Sequence, residues 1–329
     1  MIDFEKLKNI IINNSSFLLT THVNPDADAI GSEIAFYKLL KKFDKEVIII
    51  NHSETPYNLE FLDEDRIILK YDPIKHELLL NNYDVLVALD FNRSDRMVSM
   101  KDSFNSSSKF KICIDHHQDP EKFVDEFFIG TDYSATTEIL YDFINKTDSE
   151  KMDGTIAYPI YAGIMTDTGS FRFERTSPEL HLIISELLKY DITPGEVYDK
   201  IYDQSKFSKI KLLGKALSSI LLTPDKQIAY MTLTQNDFIE VSGIESDTDG
   251  FVNHSLSIEK VRLGILFIEL NNGFKVSFRS KGTLPVNKLA GEFGGGGHIN
   301  AAGARFHNHN MTESIPKIIN KAQDYINKY

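Results

Sequence analysis

The sequence predicts an α/β protein: an N-terminal parallel sheet with helices on both faces, a helical connector and a smaller C-terminal α/β domain. Three observations lead there. Continuous apolar runs (Phe17-Leu18-Leu19, Val47-Ile48-Ile49-Ile50, Val85-Leu86-Val87-Ala88-Leu89, Ile112-Cys113-Ile114) have the composition of strands buried on both faces. Segments of helical period separate them, and strands alternating with helices argue for a parallel sheet. From about Thr223 the pattern changes to strands, two of them joined by an Asn271-Asn272-Gly273 hairpin turn. A chain of 329 residues exceeds one small core, so we expect domains over 1–188 and 223–329 with a connector over 189–222.

Taken in order, residues 3–14 read as an amphipathic helix with Phe4, Leu7, Ile10 and Ile11 at helical spacing. A strand over 17–21 leads into a turn and a helix ending near Lys42, then a strand at Val47–Ile50. A short helix is expected over 56–65, a short strand over 66–69 and a strong strand over 84–90. A Ser-rich stretch, 101–108, reads as a loop before the strand over 110–114. Helices follow over 134–146, 153–167, 179–189, 195–203 and 206–220. Strands over 227–233, 261–269 and 273–280 and a C-terminal helix from about Thr312 complete the second domain.

Composition excludes several classes. With 42% hydrophobic and 26% charged residues the chain is ordinary for a globular protein. A formal charge of −12 excludes binding of long duplex nucleic acid by general electrostatics, so an anionic substrate must be short and held by local cations. The single cysteine, Cys113, permits no intramolecular disulfide and no thiolate zinc site, and reads as a buried strand residue. No N-terminal signal pattern and no membrane-spanning apolar run is present, so a cytoplasmic location is expected.

The most informative stretch is 20–33, T-T-H-V-N-P-D-A-D-A-I-G-S-E, which sets His22, Asp26 and Asp28 on a strand-to-helix turn. Open α/β sheets place active sites at such carboxyl ends of strands. A lone aspartate before a helix usually only caps it. Two aspartates and a histidine exceed what a cap needs, and side by side they require a cation. Further candidates end other elements: Asp90, the triplet Asp115-His116-His117, and Asp167. Singly, each has an ordinary reading as a turn residue, a helix-terminal residue or a hydrogen-bonded core histidine. Together they read as a metal site whose oxygen and nitrogen donors suit manganese, with iron or zinc as alternatives. The number of ligands suits two ions, a recurrent arrangement for phosphoester hydrolysis.

The second domain offers Gly294-Gly295-Gly296-Gly297-His298. Its ordinary reading is a flexible loop. Exposed backbone N–H groups at Gly295, Gly296 and Gly297, with His298 adjacent and Arg279 and Ser280 ending the strand over 273–280, favour phosphate capture. Arg172, in Phe171-Arg172-Phe173, is a further substrate-site candidate.

These motifs resemble the DHH phosphoesterase family, named for the triplet standing here as Asp115-His116-His117. H-V-N-P-D-A-D-A-I-G-S, L-V-A-L-D, I-D-H-H and M-T-D-T-G are similar to its four motifs in order. Residues 286–304 resemble the glycine-rich motif of the DHH-associated domain, so the likeness spans 20 to 304. The resemblance implies that His22, Asp26 and Asp90 hold one Mn2+. It implies that Asp28, Asp90, His116 and Asp167 hold a second, with Mg2+, Co2+ or Fe2+ as alternatives and Asp90 bridging. His117 would lie beside these ligands or near the scissile phosphate, and a two-metal-activated hydroxide would attack phosphorus. Within the family the chain resembles the nanoRNase/pAp phosphatase type, implying hydrolysis of short oligoribonucleotides and of adenosine 3′,5′-bisphosphate, no membrane partner, and a homodimer. The alternatives are a cyclic di-AMP phosphodiesterase and, in another class, a non-catalytic nucleotide-binding sensor.

Overall fold

The computed structural model describes residues 2–329 except for the side chain of His298. Two compact units divide the chain, one ending at Gln204 and the other spanning Ser205–Tyr329.

The first unit begins with helix α1 (Phe4–Asn13), strand β1 (Ser16–Thr20), helix α2 (Ala27–Lys42) and strands β2 (Glu46–Asn51) and β3 (Ile68–Lys70). Helix α3 (Pro73–His76), β4 (Val85–Leu89), α4 (Lys101–Ser106), β5 (Phe110–Asp115) and β6 (Glu126–Ile129) follow. Helices α5 (Thr136–Thr147), α6 (Gly154–Asp167), α7 (Pro178–Leu187) and α8 (Pro194–Tyr202) complete the unit.

The six strands form a sheet in the order β3-β2-β1-β4-β5-β6, and every pairing is parallel. Strand order reverses between β1 and β4, where crossovers leave opposite ways and open a crevice at the strand ends. Side chains alternate across the sheet as the period of two requires. Phe17 and Leu19 join Val85, Val87 and Ile114 in a core covered by α1, α2, α5 and α6. Leu18, Leu86, Ala88 and Cys113 face the other way, against Met97, Met100 and Phe104. Cys113 is thus the buried strand residue expected, its thiol donating to the Phe91 carbonyl at 3.2 Å.

Helices α2 and α6 approach closely because glycine permits it: a Cβ on Gly31 would lie 2.5 Å from the Pro159 carbonyl oxygen. Two expectations are corrected. The 101–108 stretch is not a loop but contains α4, since Phe104 buries in the core while Asp102, Asn105 and Ser106 face solvent. The helix expected over 56–65 reduces to one 3-10 turn, Glu60–Leu62. Strand β6 had no sequence expectation; it is a short edge strand in which only Phe128 is fully buried.

The second unit holds α9 (Phe207–Ser218), β7 (Leu221–Leu222), β8 (Ile228–Leu233), α10 (Gln235–Val241), β9 (Leu263–Leu270) and β10 (Gly273–Ser280). It closes with α11 (Val286–Gly291), β11 (Gly296–His298), β12 (Ala301–His307) and α12 (Met311–Lys328). Its sheet runs β11-β12-β10-β9-β8-β7, with β8 and β9 parallel and the other pairs antiparallel. Phe274, Val276 and Phe278 alternate inward from β10 onto α11 and α12. Among the described residues no helix is long and apolar enough to cross a membrane.

Candidate metal centre and substrate site

The turn after β1 and the ends of β4 and β5 meet at the switch point. Asp26 caps α2, its Oδ1 accepting from the backbone N–H of Asp28 at 3.0 Å and of Ala29 at 3.1 Å. The capping reading is therefore true, and it occupies one oxygen only. Asp28 is fully buried and docks on the first turn of α5. Its Oδ2 accepts from Thr136 N at 2.7 Å, and its Oδ1 accepts from Thr137 N at 2.9 Å and from the Thr137 hydroxyl at 2.5 Å. A helix N-terminus with unpaired N–H groups favours just such an anion. Gly163 on α6 makes room, since a Cβ there would lie 2.7 Å from Asp28 Oδ1. Asp90 follows β4 at φ 64°, a left-handed conformation that aspartate tolerates better than most residues and that turns its carboxylate into the crevice. Its Oδ1 accepts from the Thr136 hydroxyl at 2.8 Å.

These groups converge. His22 Nε2 lies 3.4 Å from Asp90 Oδ2, and His116 Nε2 lies 3.6 Å from Asp90 Oδ1 and 3.1 Å from Asp167 Oδ2. Three sets of donor atoms each fall within 4.8 Å: His22, Asp26 and Asp90; Asp28, His116 and Asp167; and Asp90, His116 and His117. Asp90 is common to two of them. His117 turns its Nδ1 to Asp115 Oδ1 at 2.7 Å, so buried Asp115 orients a half-exposed imidazole.

The electrostatics describe a cluster short of positive charge. Burial, then Asp28, Asp26, Asp167 and Asp115, push the Asp90 carboxyl well above its usual range. Burial and the charge of Asp28 push Asp167 up to about 7. For His116 burial pulls downward, but the hydrogen bond to Asp167 and the charges of Asp28, Asp167 and Asp115 outweigh it, and the imidazole rises to about 9. Burial lowers His22 despite the nearby Asp26, so its ring is neutral.

That neutrality decides whether a metal fits. His22 Nδ1 sits 3.0 Å from the Val23 carbonyl, which can only accept, so the ring proton is there and the Nε2 lone pair faces an Asp90 oxygen. The His22 lone pair and the Asp90 carboxyl face each other across a gap that a proton or a cation would satisfy, and the crowded carboxylates favour a cation. Asp115 Oδ2 is buried without a hydrogen-bond partner, and such an orphaned atom requires an explanation. The nitrogen and oxygen donor set suits a divalent first-row cation.

Two groups at the site had no expectation from sequence. Arg175 donates from Nη1 to the Tyr133 carbonyl at 3.0 Å and lies 3.4 Å from His116 Nδ1. Its only sequence signal is its position eight residues beyond Asp167. Thr136 was hidden because the helix was expected to begin at Ser134, whose amide and hydroxyl instead bind Glu138. Arg172 is exposed, and its Nε donates to the Gly169 carbonyl at 2.6 Å.

In the second unit, the register puts Arg279 and His298 in one row, each opposite Ala301, and hence about 10 Å apart at two strand spacings. The side chain of His298 lies outside the described residues. Arg279 donates to the Phe278 carbonyl at 3.0 Å, and burial lowers its pKa. Ser280 donates its hydroxyl proton to the Leu284 carbonyl at 2.6 Å and accepts from Asn300 at 3.0 Å, so this hydroxyl clasps the loop that follows β10. The glycine stretch enters the sheet as β11. A Cβ on Gly295 would strike the Gly303 carbonyl, one on Gly297 the Ala301 carbonyl, and Gly297 has φ 143°. Gly296 has open space where a Cβ would be.

A histidine- and aspartate-lined crevice at the switch point of a parallel sheet, joined to a second α/β unit, defines a metal-dependent phosphoesterase. The chain belongs to the DHH family. The model of the DHH family N-terminal domain matches residues 16–164 and that of the DHHA1 domain residues 226–328. A Thermus thermophilus relative, a bifunctional oligoribonuclease and PAP phosphatase, is 30% identical over 94% of this chain and 90% of its own. The protein of that name from Bacillus subtilis is 27% identical over 91% and 92%. An exopolyphosphatase-related protein of Bacteroides fragilis superposes with a TM-score of 0.93 at 33% identity, covering 98% of this chain and 96% of its own.

Proposed function

We propose that this enzyme hydrolyses short oligoribonucleotides to mononucleotides and removes a phosphate from adenosine 3′,5′-bisphosphate, using two manganese ions. The observation that carries the metal part is the neutral, buried His22 ring whose lone pair faces Asp90. The substrate part is supported by the names of the relatives from Thermus thermophilus and Bacillus subtilis. A net charge of −12 also favours short substrates over long ones.

His22, Asp26 and Asp90 would hold one ion, and Asp28, Asp90, His116 and Asp167 the other. Bound there, the ions supply neutralisation of developing phosphate charge and lower the pKa of water. The chain's own residues do the rest. Thr136 and Thr137 fix the Asp28 and Asp90 carboxylates by hydrogen bonds. Asp115 holds the His117 proton at Nδ1, leaving Nε2 at the exposed side to exchange a proton with the departing oxygen. We assign residues 1–188 to catalysis, 189–222 to a connector and 223–329 to substrate binding through Arg279, His298 and the Gly296 amide.

The test is mononucleotide release from a diribonucleotide, with adenosine bisphosphate and cyclic di-AMP run alongside at equal manganese. Wild type should act on the first two, and the Asp115→Ala/His116→Ala/His117→Ala variant on none. A strong preference for cyclic di-AMP would overturn the substrate assignment; no manganese-dependent turnover of any of the three would overturn the reading altogether.

A further inference from the structure

Helix α2 carries a buried acid that the reaction does not use. Glu33 is fully buried, and one of its oxygens, Oε1, has no hydrogen-bond partner. A leucine would fill such a position without desolvating a carboxyl group. What Glu33 does have is Asn51, at the end of β2, whose Nδ2 donates to Glu33 Oε2 at 2.8 Å. That bond orients the Asn51 amide, turning its Oδ1 toward β1, where it accepts from Thr21 N at 3.1 Å and sits 3.4 Å from the Thr20 hydroxyl. Thr21 in turn donates its hydroxyl to the Leu89 carbonyl at 2.7 Å. All four side chains are buried.

The chain of bonds therefore runs across three adjacent strand ends, β2 to β1 to β4, in the sheet order already described. Its last two members stand immediately before the paired groups of the cluster: Thr21 precedes His22, and Leu89 precedes Asp90. The ladder between β1 and β4 ends at the Thr20–Ala88 pair. Past that point Thr21 is what ties the two strands together.

We propose that Glu33 and Asn51 are positioning residues that set the spacing of His22 and Asp90, and so the affinity of the ion those two share. The proposal rests on the metal reading above. An amide is indifferent to which end is oxygen unless its surroundings decide; here an acceptor at Glu33 and a donor at Thr21 N decide together, and hold the amide between them. Glutamine at position 33 keeps a carbonyl acceptor, whereas leucine removes it and leaves the buried Asn51 Nδ2 without its partner, so the amide is no longer anchored on the α2 side of Thr21.

The experiment is calorimetric titration of Mn2+ alone into metal-free full-length protein. Wild type should bind two ions. Glu33→Leu should weaken one of them about tenfold, the scale typical of groups that orient ligands, and the other, which shares Asp90 but not His22, by no more than about threefold. Glu33→Gln should behave as wild type. Thr21→Val, which keeps shape and β-branching, should weaken the same ion about threefold and serves if Glu33→Leu does not fold. Equal weakening of both ions, or no change in either variant, would overturn the proposal. No binding by wild type would instead overturn the metal reading on which it rests.

Discussion

The turn at residues 20–33 and the glycine run at 294–297 look alike as sequence signals, and the fold uses them differently. In the turn, the unusual residues contribute side chains: His22, Asp26 and Asp28 converge with groups from three other segments. In the glycine run, the unusual residues are largely required by backbone. Gly295 and Gly297 have no space for a Cβ against the β12 carbonyls, and only Gly296 is unconstrained. A cluster of charged side chains that cannot tolerate one another without a cation signals chemistry. A cluster of glycines signals close approach of backbone, and whether a ligand or a neighbouring strand is what approaches has to be read from the fold.

Substitutions can break or sharpen this contrast. The largest effect is expected at Asp90, which the two proposed ions share. Asp90→Asn should lower kcat/KM roughly a thousandfold or more, since a lost metal contribution is worth several kcal/mol and each 1.4 kcal/mol is a decade. The melting temperature of metal-free protein should not fall, because burial and four neighbouring carboxylates already disfavour a charge there. The glycine run should respond in the opposite way. Gly297→Ala should cost about 1–3 kcal/mol of stability, the scale for a residue forced into an unfavourable backbone region, read by thermal melting. Gly296→Ala should leave melting unchanged; a rise in KM of a few fold without a change in kcat would mark its amide as a phosphate contact.

A further effect is a pH dependence at Glu33. Burial pushes its carboxyl up to about 8 from an ordinary 4.5. The folded state thus binds a proton more tightly than the unfolded state. The stability from its neutral form is complete below about 4.5 and is lost as pH rises through about 8. Glutamine cannot ionise, so Glu33→Gln should melt with wild type at pH 4.5 and progressively above it up to pH 9. Parallel curves across that range would show that Glu33 is ionised throughout.

Much of this was legible in the sequence because strand ends are legible. Apolar runs that finish in Asp90 and Asp115, and a turn rich in acid after β1, place ligands at one edge of a parallel sheet before any distance is known. What stayed hidden depended on tertiary context. Arg175 reaches His116 only because the chain reverses after α6, through Gly169, Ser170 and Phe171, all at positive φ. Strand β12 was masked by the small residues Ala301-Ala302-Gly303-Ala304, which carry little strand preference and pair because β10 and β11 flank them. Asp26 carried both of its readings at once, with one oxygen capping α2 and the other free for the cluster.

The central claim is that His22, Asp26, Asp28, Asp90, His116 and Asp167 together hold a pair of ions. Metal counting, with electron paramagnetic resonance of the manganese-loaded protein, addresses it directly. The account predicts two Mn2+ per chain with an exchange-coupled signal in wild type, and one uncoupled Mn2+ in Asp28→Ala. A single uncoupled ion in wild type, or two ions retained in Asp28→Ala, would contradict it.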